Sequence, residues 1–148
     1  MNDHLQDKSA EFHLAKKRTK KAVNVVDKVP TESQEQKALI QWCNAQSMGS
    51  KLNGARYIFA IPNGGKRNII TAVNMKAEGV KAGVPDLFLP VPMGRFHGLF
   101  IEMKRKKGGT VSNEQEDCGF LLGSLGYMVM VCRGADEAEK TITEYLSQ

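Results

Sequence analysis

The chain has 148 residues, enough for one domain with a core of its own, and its 41% hydrophobic and 25% charged residues are those of a water-soluble globular protein. No apolar run approaches the roughly 18 residues of a membrane span, and the polar start lacks the apolar stretch of a secretory signal. The net charge of +5 suits a polyanionic partner without demanding one, and its placement says more: Lys16, Lys17, Arg18, Lys20 and Lys21 form one basic block, Lys104 to Lys107 another.

Residues 1–30 read as a basic, flexible tail, polar and without apolar periodicity, closed by the helix-incompatible step Val29-Pro30. The tail reads either as a phosphate-contacting arm or as solvated chain. Thr31 then fits a helix N-cap, with Glu32, Glu35 and Gln36 in the first turns and Ala38, Leu39, Trp42 and Cys43 at helical spacing. This helix is expected to run to about Gln46, with a loop over Ser47 to Gly54. Arg56 to Ile61 is rich in β-formers and predicts a first strand. Pro62 to Arg67 is a glycine-rich turn with two cations, and Thr71 to Ala77 a second helix.

Asp86 to Leu89 predicts the second strand and Gly98 to Lys104 its hairpin partner. Ser112-Asn113-Glu114-Gln115 fits a capping box opening a helix to about Leu125. Tyr127 to Cys132 is a continuous apolar run, suited to a strand buried on both faces, and Ala135 to Leu146 a closing amphipathic helix. The order α-β-α-β-β-α-β-α predicts an α/β fold with a mixed central sheet flanked by helices. Cys43, Cys118 and Cys132 are odd in number and widely spaced. That argues against disulfides and a zinc cluster, and for buried thiols in a reducing cytoplasm. Tyr57, Phe59, Phe88 and Phe100 fall on predicted strands, so they are expected in the core. His97 is expected on a surface turn.

Two apolar runs carry charge where a strand interior should not. Asp86 opens the first; Glu102 and Lys104 sit one residue apart in the second and therefore share a face. A Glu-x-Lys pair alone is commonly a solvated edge-strand pair. Asp86 at hairpin distance, with basic glycine-rich turns flanking both runs, makes the set a candidate site. Two adjacent carboxylates repel, and a hard divalent cation, Mg²⁺ or Mn²⁺, relieves the repulsion. Such a cation binds a phosphoryl oxygen and acidifies a bound water, and Lys104 can stabilise the developing charge. Arg105, Lys106 and Lys107 follow at once and could hold a nucleic-acid backbone. The backbone N–H groups of the turn Asn63, Gly64, Gly65, Lys66 and Arg67 could cradle phosphate.

Pro85-Asp86 followed by Glu102-Met103-Lys104 resembles the PD-(D/E)xK nuclease superfamily. Glu32 to Gln36, Ile61 to Gly65, Gly79 to Leu89, His97 to Gly109 and Ser112 to Gln115 together resemble its VRR-NUC branch, in the small stand-alone form of phages and bacteria. The resemblance covers about residues 31–148, the expected nuclease domain, and implies a restriction-endonuclease-like core. It implies Asp86 and Glu102 as metal-binding carboxylates, the Met103 carbonyl as a further ligand and Lys104 as the catalytic lysine. It also implies a first-helix glutamate, for which Glu32 is the choice and Glu35 the alternative, supported by Gln36. Gln115 matches a glutamine facing the scissile phosphate, although a capping role explains it as well. The expected activity is metal-dependent DNA endonuclease, on branched DNA such as Holliday junctions, by a homodimer in the cytoplasm of a bacterium or a phage-infected cell. The alternatives are a nuclease for flap or linear double-stranded DNA, or a DNA-binding module without catalysis.

Overall fold

The computed structural model describes residues 29–62 and 69–148, with the backbone alone for 69–72. The expected tail up to residue 28 and the turn Asn63 to Arg67 lie outside the described residues. Helix α1 spans Glu32–Asn44, β1 Phe59–Ala60, α2 Ile69–Ala77, β2 Leu87–Leu89 and β3 Leu99–Lys104. Helix α3 spans Asn113–Ser124, β4 Met128–Arg133 and α4 Ala135–Tyr145. The order is the expected one, and the fold is the expected mixed sheet with flanking helices.

The sheet order is β1-β2-β3-β4. β1 to β3 are antiparallel neighbours; β4 lies parallel to β3, reached through α3 as a parallel pair requires. Alternation along β3 sends Leu99, Ile101 and Met103 into a core that also contains Leu39 and Cys43 of α1 and Ala138, Ile142 and Tyr145 of α4. The even-numbered Phe100, Glu102 and Lys104 face the other side, towards α3. Both capping predictions hold: Thr31 and Ser112 each close a capping box, with Gln34 and Gln115 as the reciprocal partners. Burial pushes the Cys43 thiol up to about 12, which makes it a packing group.

Three expectations need correction. The strand predicted over Arg56 to Ile61 shrinks to Phe59–Ala60, and Asn53–Tyr57 winds into a 3₁₀ helix. There Ala55 is fully buried and Gly54 lies against Leu146, so packing at the end of α4 overrides local β-propensity. Tyr57, at the end of the 3₁₀ helix, and Phe59, on the sheet-edge strand β1, are exposed; of the four, Phe88 and Phe100 are drawn inward, stacked with centroids 4.3 Å apart. β4 is mostly half-buried, because it forms the other edge and α3, which has no fully buried residue, covers it loosely. His97 does sit on an exposed turn, its ring edge-on to Tyr127.

Candidate active site

The antiparallel register pairs Leu87 with Ile101. Continued by one residue, it sets Asp86 opposite Glu102, and opposed residues share a face. The ladder ends there for a local reason: the Met103 N–H donates to the Asp86 carboxylate Oδ2 at 2.9 Å. The Asp86 main chain is itself held from the β1 side, where the N–H of Ile61, the residue after β1, donates to the Asp86 carbonyl at 2.8 Å. Asp86 is thus fixed from both neighbouring strands.

Glu102 and Lys104 are 4% and 7% exposed, a depth at which charged groups occur only when paired. Lys104 Nζ lies 2.7 Å from Glu102 Oε1. Gln115 completes a triangle: its Nε2 donates to Glu102 Oε1 at 2.5 Å, and its Oε1 accepts from Lys104 Nζ at 3.2 Å. The same Oε1 accepts the Ser112 N–H at 3.0 Å. The two sequence readings of Gln115, helix cap and site residue, are therefore compatible, since one carbonyl oxygen with two lone pairs serves both.

Glu102 Oε2 is buried with no donor on it among the described residues. The Asp86 carboxylate stands beside Glu102, and two charged carboxylates make no hydrogen bond unless one is protonated. Burial, and after it the Asp86 charge, push the Glu102 carboxyl above its ordinary range, against the opposing hydrogen bond from Lys104. A buried orphan oxygen beside a second carboxylate is a donor set suited to a hard cation. Asp86 and Glu102 could hold Mg²⁺ or Mn²⁺, ions that keep several waters and need few protein ligands.

The other expected site residues are dispersed. No three of the described His, Cys, Asp and Glu side chains could together hold a metal ion. Glu32 is exposed in a hollow of about 500 Å³ shared with Arg105, Gly108 and Gly109. Glu35 is buried and its Oε2 accepts the Ala135 N–H at 2.8 Å, so it caps the start of α4. Gln36 lines a smaller hollow with Ser33, Lys37 and Ile40. Arg105 and Lys107 are exposed, whereas Lys106 Nζ is bound to Asp136 Oδ2 at 2.7 Å. That bond draws Lys106 onto α4 and raises its ammonium above the ordinary range. Asn63, Gly64, Gly65, Lys66 and Arg67 lie outside the described residues.

Two features of the site were hidden in the sequence. Gly83 has φ +82°, and a Cβ there would stand 2.1 Å from the Glu114 carbonyl oxygen, so the first turn of α3 rests directly on it. Only its place three residues before Asp86 hinted at this. Gly109 lies against Lys104: a Cβ would meet Lys104 Cβ at 2.9 Å. Its carbonyl is in turn held by Arg133 Nη1 at 2.8 Å. No sequence pattern links Arg133 to Lys104.

Comparison with known proteins places the fold in a family. The VRR-NUC domain family model matches residues 20–136. A solved structure described as a VRR_NUC domain protein is similar to this chain, with 29% identity and a TM-score of 0.68, over 81% of this chain and 91% of its own. No curated protein matches. With the family model spanning most of the chain, a mixed sheet and the Asp86, Glu102 and Lys104 cluster at its centre, the chain belongs to the VRR-NUC domain family and carries a nuclease-type domain.

Proposed function

We propose that the chain is a metal-dependent endonuclease that hydrolyses phosphodiester bonds in DNA, with branched DNA such as Holliday junctions as the preferred substrate. The observation that carries the reading is Glu102 Oε2, buried without a donor beside Asp86, with Lys104 Nζ fixed 2.7 Å from the other oxygen. Mg²⁺ or Mn²⁺, when bound by Asp86, Glu102 and the Met103 carbonyl, supplies a Lewis acid for the phosphoryl oxygen and a more acidic water. Lys104, held by Glu102 and Gln115, offers its remaining N–H to the charge that develops on the phosphate. Gln115 orients both partners and keeps Lys104 from collapsing onto Glu102 alone. Arg105 and Lys107, exposed after β3, hold the backbone of the strand; Glu32, in the hollow beside Arg105, is the first-helix carboxylate of this reading.

Resolving a symmetric junction takes two centres, so the active form is a homodimer. Leu121 and Leu125, exposed and one turn apart, supply an apolar face for it. The test is incubation of the purified chain with labelled junction, flap and linear duplex DNA in Mg²⁺, Mn²⁺ or EDTA. Paired symmetric cuts in the junction, lost in EDTA, are expected. Cutting of flaps or linear duplex in preference would move the substrate assignment. No cleavage of any of them with either cation would overturn the enzyme. Lys104→Ala should cut at least about 100-fold more slowly while still binding DNA.

A further inference from the structure

One face of α3 does not close on the sheet. Between it and the outer face of β4 runs an apolar groove of about 700 Å³, walled by Val111, Gly119, Phe120, Gly123, Val129 and Val131. That volume is within the range of small-molecule sites, about 300–1,000 Å³. The groove stays open because α3 has glycine where a core helix has leucine. A Cβ at Gly123 would meet nothing within 4 Å, and one at Gly119 only Val129 Cγ1 at 3.7 Å. Interior helix glycines are unfavourable by about 1 kcal/mol each against alanine, so their pairing over a void is not explained by stability. Phe120 stands at the rim with 79% of its surface exposed.

The inner end of the groove is the acidic centre itself. Glu102 and Gln115 line it, and Val131 is the direct register partner of Glu102 across β3 and β4. Glu102 is 4% exposed, and its Oε1 holds Gln115, the other polar residue of this end. A phosphodiester at the centre therefore has its attached nucleoside within reach of the groove. The charge pattern selects that part of a nucleotide: among the described residues, Glu102 and Glu116 are the ionisable ones lining the groove, and no lysine or arginine lines it. Phosphate is disfavoured there, while an uncharged, flat base between valines and an exposed phenylalanine is favoured.

We propose that this groove binds an unpaired nucleoside adjacent to the scissile phosphate. A base inside a duplex is stacked and cannot enter, so the substrate class is DNA with an extruded or splayed nucleotide at the cut. The inference rests on the nuclease reading of Asp86, Glu102 and Lys104, and it deepens that reading. A second copy of the chain is the competing occupant. Leu121, one of the two leucines assigned to pairing, lies about 200° around α3 from both Gly119 and Gly123, on the other flank.

The test uses the full chain and a duplex carrying one unpaired 2-aminopurine nucleotide, with Ca²⁺ as the cation. Wild type should quench the 2-aminopurine and bind this DNA more tightly than the fully paired duplex. Gly123→Leu fills the groove and adds helix propensity, so its melting temperature should not fall. It should abolish the quench and weaken binding of the unpaired substrate about 10-fold, the size of one base–aromatic stack, leaving the paired duplex unchanged. Phe120→Ala should reproduce the effect without filling the groove. Equal quench and affinity in both variants would overturn the proposal. So would a variant that changes only the sedimentation behaviour, which would assign the groove to a second copy. Cleavage by wild type in Mg²⁺ is read separately, so loss of the nuclease reading and loss of the groove are distinguishable.

Discussion

Gly83→Ala tests whether the first turn of α3 sets the geometry of the acidic centre. The new Cβ would stand 2.1 Å from the Glu114 carbonyl oxygen, 2.4 Å from its carbon and 3.0 Å from the Gln115 nitrogen. All three are main-chain atoms, so no rotamer change relieves the overlap, and the turn must retreat by about 1 Å to reach ordinary contact. The φ of +82° adds about 1–2 kcal/mol for any residue with a Cβ, and the overlap about 1–3 kcal/mol. A combined loss of about 2–5 kcal/mol lowers the melting midpoint by roughly 5–15 °C for a domain of this size. Gln115 moves with the turn. A displacement of about 1 Å stretches its 2.5 Å and 3.2 Å bonds to Glu102 and Lys104 and should slow cutting about 100-fold. Thermal melting and single-turnover cleavage below the lowered midpoint give the two readouts. A wild-type melting curve would refute the contact. A lowered midpoint with an unchanged rate would show that α3 does not position Gln115.

Other expectations concern the remaining charges. Glu35→Ala should lower stability by about 1–3 kcal/mol by leaving the Ala135 N–H without its acceptor, and Glu32→Ala should spare the melt but weaken Mn²⁺ binding in calorimetry. The reverse pattern would exchange the roles of the two glutamates. Arg133→Ala should reduce the cleavage rate about 10-fold at unchanged DNA affinity by freeing Gly109 from Lys104, with partial rescue in Arg133→Lys. Raised Kd and a shallower salt slope would instead mark Arg133 as a phosphate contact. Because the Glu102 carboxyl is held above its ordinary range, the metal-free folded state binds its proton more readily than the unfolded state. Its contribution to stability should therefore grow as pH falls through the raised folded value and be complete below the unfolded one. Glu102→Gln should remove that component from the pH–stability curve; identical curves would refute the buried charge.

The antiparallel strands and helices were legible because their signals are local. Period-two alternation put Glu102 and Lys104 on one face, and the serine and glutamine of Ser112 to Gln115 announced both a helix start and a site residue. The first strand was over-read because Tyr57 and Ile58 have β-propensity, while the burial of Ala55 that coils this stretch is a tertiary effect. The apolar run of β4 was over-read for a related reason. Residue type cannot tell a central strand from an edge strand under a loosely fitting helix, and the glycines that loosen α3 act only through what faces them.

From the sequence alone came the order of the elements, both N-caps and the charged trio Asp86, Glu102 and Lys104, all written in spacings of a few residues. The tertiary structure alone decided where each carboxylate goes. Glu32 and Glu35 are equivalent by helical spacing, and what separates them is the hydrogen bond that Glu35 accepts from the Ala135 N–H, 100 residues away. The same holds for Arg133, which reaches Lys104 through the main chain of Gly109, and for the groove beside Glu102. Periodicity and capping depend on neighbours along the chain; burial, desolvation and orphaned oxygens depend on neighbours in space, and those exist only after the sheet and helices have packed.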